Sequence, residues 1–467
     1  MSDSLMYMMY MILQRLYITA FSWVYNQTCG IIDEKKREWG LQIVCFMIPV
    51  FFLMIYGGVV GHLGLTTQFN RHLVGCGIIL LIMFFSIDRP QKPVRWRMIL
   101  FVPLIVCAIA MLFVSFIHPV GEGYRVFVFF LIIILPGLCF IWNNRRDYYR
   151  LYDCLSIAIG IVGIIYMIVC IVGVLSGYDF YREGRFRGTL AHAGGLSLFY
   201  TSVICSGLYL IVRQTKNIKV FLLSGAFLGT GTGMLMIGQG RSCILAAVTC
   251  IFAAVIFSRK NKKNRKKWDR DVKLKFFLLF MLSIFIAVGI PQGDRYIDQS
   301  KDISIAQVEQ SNADADVKAD DSKAVERFTA KGVDINQFSS DRIRLWTLVW
   351  NHLNLRGNDV TKQSIRDLSQ NSWQIYAHNV FLEIAYRFGI PVGVLFLIPE
   401  LVAGIIALIY LFSKGNKETY LIFPIMFIIV YAYESMLDCA GMPFILECSL
   451  YYYLSMIPMM EKDTFND

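Results

Sequence analysis

Charged residues are scarce in this chain. Only 17% of its 467 residues are Asp, Glu, Lys or Arg, whereas 56% are hydrophobic. A soluble domain is usually about a quarter charged, so the chain has too little polar surface for one. The formal net charge of +11 could indicate nucleic-acid binding, but the basic residues lie mostly in short connections between apolar runs. The composition therefore argues against a nucleic-acid-binding protein and predicts an integral membrane protein.

Motifs for metal binding and redox chemistry are also missing. The 12 cysteines lie almost all inside or beside apolar segments and form no CxxC pair, and the 6 histidines form no HExxH pattern. We therefore expect the cysteines to be small apolar membrane residues, and we expect no metal and no cofactor. The N-terminus lacks the pattern of a cleaved signal peptide, so we expect none.

The chain contains long apolar runs. A spanning helix needs about 20 mainly apolar residues. We predict an all-α integral membrane protein with about 12 transmembrane helices. The predicted spans lie near residues 41–60, 72–87, 98–117, 124–142, 152–176, 194–212, 219–237, 242–258, 275–290, 388–412, 419–436 and 443–460. Residues 6–23 are apolar and aromatic but short and interrupted by Arg15, which indicates an interfacial helix.

The basic residues of the short connections predict the orientation. They concentrate in alternate connections, above all in the stretch 259–275, and such connections stay in the cytoplasm. Both termini are then cytoplasmic, and the large polar loop lies outside. This divides the chain into residues 1–290 with nine spans and a possible N-terminal interfacial helix, the outer loop 291–387, and residues 388–467 with three spans and a short cytoplasmic tail.

The outer loop has two parts. It begins with a polar stretch, QVEQSNADADVKADDSK, that has a composition typical of disorder. Asp314 and Asp316 in this stretch formally fit a DxD metal motif, which we attribute to chance in an acidic run. Further on, Trp346 and Trp350 share helical spacing with Ile343 and Leu353, so we expect an amphipathic helix against the outer membrane face.

Arginines on the outer side work against the orientation rule and call for a reason. They are Arg71, Arg125, Arg182, Arg185, Arg187 and Arg241. Three of them cluster in YREGRFRGT and are followed by His192 and a glycine pair that begins the next helix. Arginines and helix N-termini both favour phosphate, so we expect an anion site here. The alternative is an exposed loop whose arginines contact lipid phosphates.

Arg241 stands in GQGRS, directly before an apolar helix. An arginine at that depth is costly unless it is paired or faces a cavity, which favours a site. The alternative is an interfacial anchor that extends towards the headgroups.

Arg342 and Arg344 begin the amphipathic helix, and Arg342 precedes Trp346 by four residues, so these two can share a face. Arg344 is more readily explained as surface charge.

His378, Asn379 and Glu383 lie in AHNVFLE, where the outer loop returns to the membrane, and Gly389 marks a break before the next span. A histidine there is placed to take a proton near neutral pH. The alternative is a buried histidine held by a backbone carbonyl. Together with the outer arginines, His378 predicts one basic pocket. The arginines would hold a departing diphosphate, and the histidine would activate an acceptor hydroxyl in a metal-independent transfer.

These motifs resemble those of the O-antigen ligase and O-antigen polymerase superfamily of bacterial membrane glycosyltransferases. The resemblance runs from about residue 120 to the C-terminus and includes a large outer loop before the last spans. Its motifs are RFRGT at 185–189, GQGRS at 238–242, Arg342-x-x-x-Trp346, and His378-Asn379 followed by Glu383.

The resemblance implies a C-type glycosyltransferase fold in the bacterial inner membrane, with an outward-facing active site. The donor would be a glycan on undecaprenyl diphosphate, and the reaction would invert the anomeric carbon. Arg241 and Arg342 would bind the diphosphate, and His378 would be the base or would orient the acceptor. Substrate contacts are further expected from Arg185, Arg187, His192, Arg344, Asn379 and Glu383.

Two departures from the family pattern leave the acceptor open. LAHAGG follows RFRGT where family members often carry Pro-Asn, and HLNLRGND replaces a Pro-Leu-x-Gly-x-Gly stretch. The acceptor could be a lipid core, a second lipid-linked glycan, a protein or a growing capsule.

Two other classes of protein compete with a transferase. One is a transporter or flippase for a lipid-linked or anionic substrate. Transporters spread polar residues through several spans, whereas here they gather at one interface, which favours an enzyme. The other, a structural or sensory membrane protein, would leave Arg241 and His378 without a role.

Overall fold

The computed structural model describes residues 2–57, 68–182, 185–190, 192–213, 217–260, 270–309, 342–370, 376–413, 418–437 and 447–462. Its helices are α1 (Ser2–Thr28), α2 (Glu34–Tyr56), α3 (Gln68–Ser86), α4 (Met98–Ile117), α5 (Glu122–Phe129), α6 (Leu135–Arg145), α7 (Tyr148–Leu175), α8 (Ala193–Val212), α9 (Ile218–Gly238), α10 (Arg241–Lys260), α11 (Arg270–Glu309), α12 (Arg342–Trp350), α13 (Ile365–Ser369), α14 (Val380–Phe388), α15 (Ile390–Phe412), α16 (Ile422–Leu437) and α17 (Glu447–Met460).

Three short elements complete these regions. A π-helical turn, Phe130–Ile134, joins α5 to α6, and a 3₁₀ turn, Thr419–Leu421, leads into α16. Two-residue strands β1 (Tyr181–Arg182) and β2 (Arg185–Phe186) pair antiparallel before α8.

Ten helical segments of the described chain are long and apolar enough to cross a membrane. They coincide with ten of the predicted spans, which confirms a multi-pass helical membrane protein. The other two predicted spans, 72–87 and 443–460, fall on shorter apolar helices. The apolar part of α3 is His72–Ser86, and α17 has 14 residues. The predicted number of twelve spans therefore stays a prediction.

Helix α8 lies at the centre of the bundle, with 89% of its apolar window buried. It packs against α7, α9, α10 and α16. The Tyr200 hydroxyl donates to the Gly163 carbonyl of α7 at 3.1 Å, and the Thr201 hydroxyl donates to the Cys243 carbonyl of α10 at 3.4 Å. The first bond holds α7 against α8, and the second holds the first turns of α10 beside α8.

Helices α10 and α16 run antiparallel. Cys243 Sγ lies 3.3 Å from Glu434 Oε1, and Cys250 Sγ lies 3.5 Å from the Met426 carbonyl. Helix α10 therefore begins where α16 ends. We call this end of the bundle the motif end. The opposite end, where α10 ends and α16 begins, is the basic end.

Helix α1 lies along the 87–97 connection at the basic end. Gln14 Nε2 donates to the Val94 carbonyl at 2.6 Å, and Ser22 Oγ accepts from the Gln91 N–H at 3.2 Å. The helix is not among the ten candidate spans. The interfacial position of α1 stays a prediction, and the helix is longer than the 6–23 segment that the composition indicated.

Helix α11 differs from the prediction at its end. The apolar span ends at Gln292, close to the predicted end near residue 290, but the helix continues through Pro291 to Glu309. A change from apolar to polar side chains ends a membrane span without ending the helix, because the backbone hydrogen bonds do not depend on the side chains. Asp314, Asp316 and most of the polar stretch lie outside the described residues.

The second half of the outer loop forms a small lobe from α12, α13 and α14. Its core contains Leu345, Val349, Ile365, Ala377 and Tyr386. The amphipathic helix predicted from the tryptophan spacing is present as α12, and its position against the outer membrane face stays a prediction. The Leu345 side packs into the lobe because α13 and α14 cover it. Ile343 and Trp350 are instead exposed, by 39% and 67%.

Candidate functional site

The C-terminal end of α16 brings two motif residues together. Arg342 Nη1 donates to the Leu437 carbonyl, and Asn379 Nδ2 donates to the Met436 carbonyl at 3.4 Å. The last carbonyls of a helix have no partner within the helix and attract donors of positive character. The starts of α12 and α14 therefore meet at one point of the motif end.

Arg241 lies at the same end. It is the first residue of α10, and the turn before it packs on α8, where the Gly240 N–H donates to Ser197 Oγ at 3.0 Å. A Cβ at Gly240 would stand 2.4 Å from that of Ser197, so the close approach requires glycine. Because Cys243 touches Glu434, Arg241 lies beside the last turns of α16. The structure thus brings the Arg241, Arg342 and His378 motifs to one region.

Four helices begin in this region, namely α8, α10, α12 and α14. His192 precedes α8 as its N-cap, Arg241 and Arg342 are the first residues of their helices, and Asn379 is the N-cap of α14. A helix N-terminus presents free N–H groups and a partial positive charge. Combined with arginines, such ends form a site that favours a phosphate or another anion.

His378 has a left-handed backbone, with a φ of 49°. This conformation costs a residue other than glycine about 1–2 kcal/mol, and it persists where neighbouring contacts fix the chain. Both neighbours of His378 are fixed. The Ala377 N–H donates to Glu383 Oε2 at 2.8 Å, and Asn379 Oδ1 accepts from the Leu382 N–H at 3.0 Å. Strain of this kind is typical of functional residues.

Glu383 is buried and occupied by protein donors. Its second oxygen, Oε1, accepts from Arg387 Nε at 2.6 Å, and the side chain is 1% exposed. Both oxygens are therefore engaged, which favours an internal role over the expected contact with substrate. Burial lowers the pKa of the Arg387 guanidinium, but Glu383, Tyr124 and Tyr376 together raise this pKa by more, so it stands above its usual value. Arg387 accordingly stays charged.

An apolar groove of about 820 Å³ opens beside the site. It begins at Asn379 and Met436 and extends along α15 to Leu408. Its lining residues are Trp346, Thr347, Trp350, Asn379, Phe381, Leu382, Leu397, Glu400, Leu401, Gly404, Ile405, Leu408, Ile428, Tyr431, Ala432, Ser435, Met436 and Tyr452. Glu400 is the carboxylate among them, and it forms a hydrogen bond with the Tyr452 hydroxyl. The groove offers an amphiphile a long apolar surface that adjoins a basic site.

The RFRGT motif lies on the hairpin before α8. The Arg187 N–H donates to the Phe180 carbonyl at 2.9 Å, and Thr189 Oγ1 lies 3.0 Å from the Tyr166 hydroxyl. Arg187 Nε is buried, and within the described regions it has no hydrogen-bond partner. The hairpin leads through His192 to the start of α8, beside Gly240 and Arg241. The structure places Arg185 and Arg187 on this side of the motif end.

Arg344 does not join Arg342. It is exposed and lines a separate cleft of about 620 Å³ with Leu368, Ser369 and Gln370 of the lobe. Residues two apart on a helix point in nearly opposite directions, which explains the separation.

Glu434 is a site residue that the sequence analysis missed. It is 4% exposed, touches Cys243 and lies one turn before Leu437. A carboxylate inside an apolar span was the available signal, because such residues are costly and usually functional. Within the described ranges, no group of three His, Cys, Asp or Glu side chains could hold a metal ion. Metal independence stays a prediction.

The fold and the site define a multi-pass helical membrane protein with a basic site at the head of an apolar groove. Residues 225–397 match the family described as O-antigen ligase. This match, which covers less than half of the chain, bears out the resemblance to the ligase and polymerase superfamily. The matched range includes Arg241, Arg342 and His378. It supports a membrane glycosyltransferase-like enzyme of surface polysaccharide assembly. Comparison with curated proteins gives no match.

Proposed function

We propose that the protein transfers a glycan from undecaprenyl diphosphate to an acceptor hydroxyl at the outer face of the bacterial cytoplasmic membrane. One observation carries the proposal. The Arg241, Arg342 and His378 motifs converge at the end of α16, where the apolar groove begins. A lipid diphosphate has the matching shape, with a doubly charged head and a long apolar chain.

The donor would bind across both parts of the site. Arg241, Arg342 and the surrounding helix N-termini hold the diphosphate. The polyprenyl chain lies in the groove along Leu397, Leu401, Ile405 and Leu408, which form one stripe of α15. That stripe is about 17 Å long at 1.5 Å per residue. Burial of the chain supplies affinity, and the arginines place its reactive end beside His378.

The reaction is a single displacement. The His378 imidazole takes the proton of the acceptor hydroxyl as the oxygen forms a bond to the anomeric carbon. The bond from that carbon to the diphosphate oxygen breaks, and the diphosphate leaves with the electron pair. Arg241 and Arg342 stabilise the charge that develops on it. Because the hydroxyl attacks from the opposite face, the anomeric carbon is inverted.

The remaining predicted residues would contact other parts of the substrates. Arg187, with its buried Nε, extends the basic surface beside α8, together with Arg185 and His192. Asn379 lies where the groove meets the site. Arg344 would contact a glycan only through the separate lobe cleft.

The positive-inside rule supports this orientation. Helix α10 ends with Arg259 and Lys260 at the basic end, where Arg145, Arg150 and Arg213 also lie, so that end faces the cytoplasm. Both termini are then cytoplasmic, and the motif end faces outward. An outward-facing site would act on glycans that have already crossed the membrane.

The test uses the purified full chain in nanodiscs. It is incubated with an undecaprenyl-diphosphate oligosaccharide and either excess donor or a lipid A core, and the products are resolved on a gel. A ladder of repeats identifies a polymerase, and a single transfer to the core identifies a ligase. Movement of the intact donor across proteoliposomes with no glycan transferred would instead identify a flippase and overturn the proposal.

A further inference from the structure

We propose that Arg387, through its ion pair with Glu383, is a positioning residue that holds His378 in its left-handed conformation and so orients the imidazole towards the acceptor hydroxyl. The inference rests on the proposed function, in which His378 is the base. It gives Glu383 a role inside the protein and assigns a role to Arg387, which lies beyond the His378-to-Glu383 motif.

The first step concerns the residue before His378. The Ala377 N–H donates to Glu383 Oε2 at 2.8 Å, and Ala377 is buried. A left-handed residue other than glycine reverts to an ordinary conformation unless its neighbours are held. Glu383 supplies the hold on one side of His378, and the Asn379 side chain supplies it on the other.

The second step concerns the charge on Glu383. A carboxylate that is 1% exposed is stable as an anion only beside a cation and hydrogen-bond donors. Arg387 provides both, with Nε at 2.6 Å from Oε1. Loss of this cation would leave the buried carboxylate without its charged partner, and a side chain that rotates away to find another weakens the bond to Ala377.

The third step concerns what holds Arg387. Its Nη1 donates to the Val120 carbonyl at 2.9 Å, and its guanidinium lies 4.8 Å from the centre of the Tyr124 ring. Three separate contacts therefore fix one planar group. A lysine ammonium has no planar fork and cannot reproduce all three. The loop before α5 is thereby connected to the backbone of His378.

The fourth step concerns the backbone of Arg387. Gly357 has a φ of 83°, and a Cβ there would stand 2.3 Å from the Arg387 carbonyl oxygen. The Asn358 N–H donates to the Tyr386 carbonyl at 2.9 Å. The segment that follows α12 thus packs directly on this turn of α14. Arg387 is fixed at both its backbone and its side chain before any substrate binds, which is what a preorganised base requires.

The activity test compares Arg387→Lys with Arg366→Met, a control at an exposed arginine of the same lobe. We expect Arg387→Lys to lower kcat by about 10- to 100-fold, because misplacing a catalytic group by about 1 Å costs roughly that much. The donor KM should stay within about 3-fold. In a His378→Ala background the same change should have no further effect, since Arg387 acts through His378. An equal drop in both backgrounds would overturn the proposal.

A second measurement does not depend on activity. Hydrogen exchange of the full chain should show faster exchange at the Ala377 amide in Arg387→Lys, with Arg366→Met unchanged. Unaltered protection at Ala377 would also overturn the proposal. If wild-type protein transfers no glycan, the proposed function fails, and with it the assignment to a catalytic base. Faster exchange would then show only a structural pair.

Discussion

The two ends of the bundle both gather arginines, but they use them differently. At the basic end, arginines pair with carboxylates of the protein: Arg145 with Asp88 at 3.4 Å, Arg150 with Glu38 at 2.8 Å, and Arg213 with Asp153 at 3.2 Å. At the motif end, Arg241 and Arg342 begin helices, whose N-termini add positive potential to that of the side chains. The first arrangement stabilises the protein, and the second underlies the proposed anion site.

One arginine at the motif end pairs with a carboxylate of the protein, as the arginines at the basic end do. Arg387 and Glu383 are buried together, as Arg145 and Asp88 are. Such a pair holds the chain in place and offers little to a ligand. An arginine that pairs with a buried carboxylate is therefore structural at either end of the bundle.

The largest effect is expected at His378. His378→Ala should lower transfer by about 10²- to 10⁴-fold, the usual contribution of a general base. The readout is product formed per folded protein in the nanodisc assay. His352→Ala is the control, because that histidine follows the C-terminal end of α12 and contacts the Leu348 carbonyl there, whereas Arg342 begins the helix at its other end. Normal glycan products from His378→Ala would refute the base assignment.

The next effect concerns the two arginines that begin helices. Arg241→Lys or Arg342→Lys should lower kcat by about 10²- to 10³-fold, because a point charge cannot hold a diphosphate as a planar fork does. Thermal unfolding in detergent should change little. Wild-type kcat in either variant would show that the arginine is only a membrane anchor.

The groove should give a smaller effect, seen mainly in KM. Gly404 lines it, and a Cβ there would meet nothing within 4 Å, so Gly404→Leu fills the groove without a clash. We expect the donor KM to rise by about 10-fold through loss of buried apolar surface. Gly77→Leu is the matched control, since Gly77 is equally open but lies on α3. Equal KM values in the two variants would contradict the groove assignment.

The smallest effect on activity is expected at the basic end. Arg213→Lys removes the bond to Asp153 and the stacking on Tyr149, whose ring centre lies 3.9 Å away. The free energy of unfolding should fall by about 1 kcal/mol. Transfer should stay within about 2-fold of wild type. A large loss of kcat with unchanged stability would erase the distinction between the two ends.

The fold was predictable where one strong physical cause acts. A helix in lipid must be apolar over about 20 residues, so ten spans could be located from hydropathy. The break at Gly389 was also predictable and is confirmed by its φ of 93°. The continuation of α11 to Glu309 and the packed face of α12 could not be predicted, because they depend on helix propensity outside the membrane and on the cover that α13 and α14 provide.

The sequence was enough to propose the candidate site residues, but it did not predict the contacts that they make. Arg241, Arg342 and His378 were proposed because charge at a membrane interface is energetically costly. The contacts that fix the backbone of His378 could not be predicted, because they depend on Arg387, which donates to the Val120 carbonyl 267 residues away in the chain. Glu434 was missed because it lies within a span, whereas the candidate residues were sought in the outer loops.

Equilibrium binding of undecaprenyl diphosphate without a glycan tests the central claim most directly. Wild-type protein in nanodiscs should bind it at least about 100-fold more tightly than uncharged undecaprenol, since two charge-assisted contacts of about 1.5–3 kcal/mol each are involved. The Arg241→Lys/Arg342→Lys double variant should lose most of this preference, and Arg213→Lys should keep it. An unchanged preference in the double variant would contradict the account.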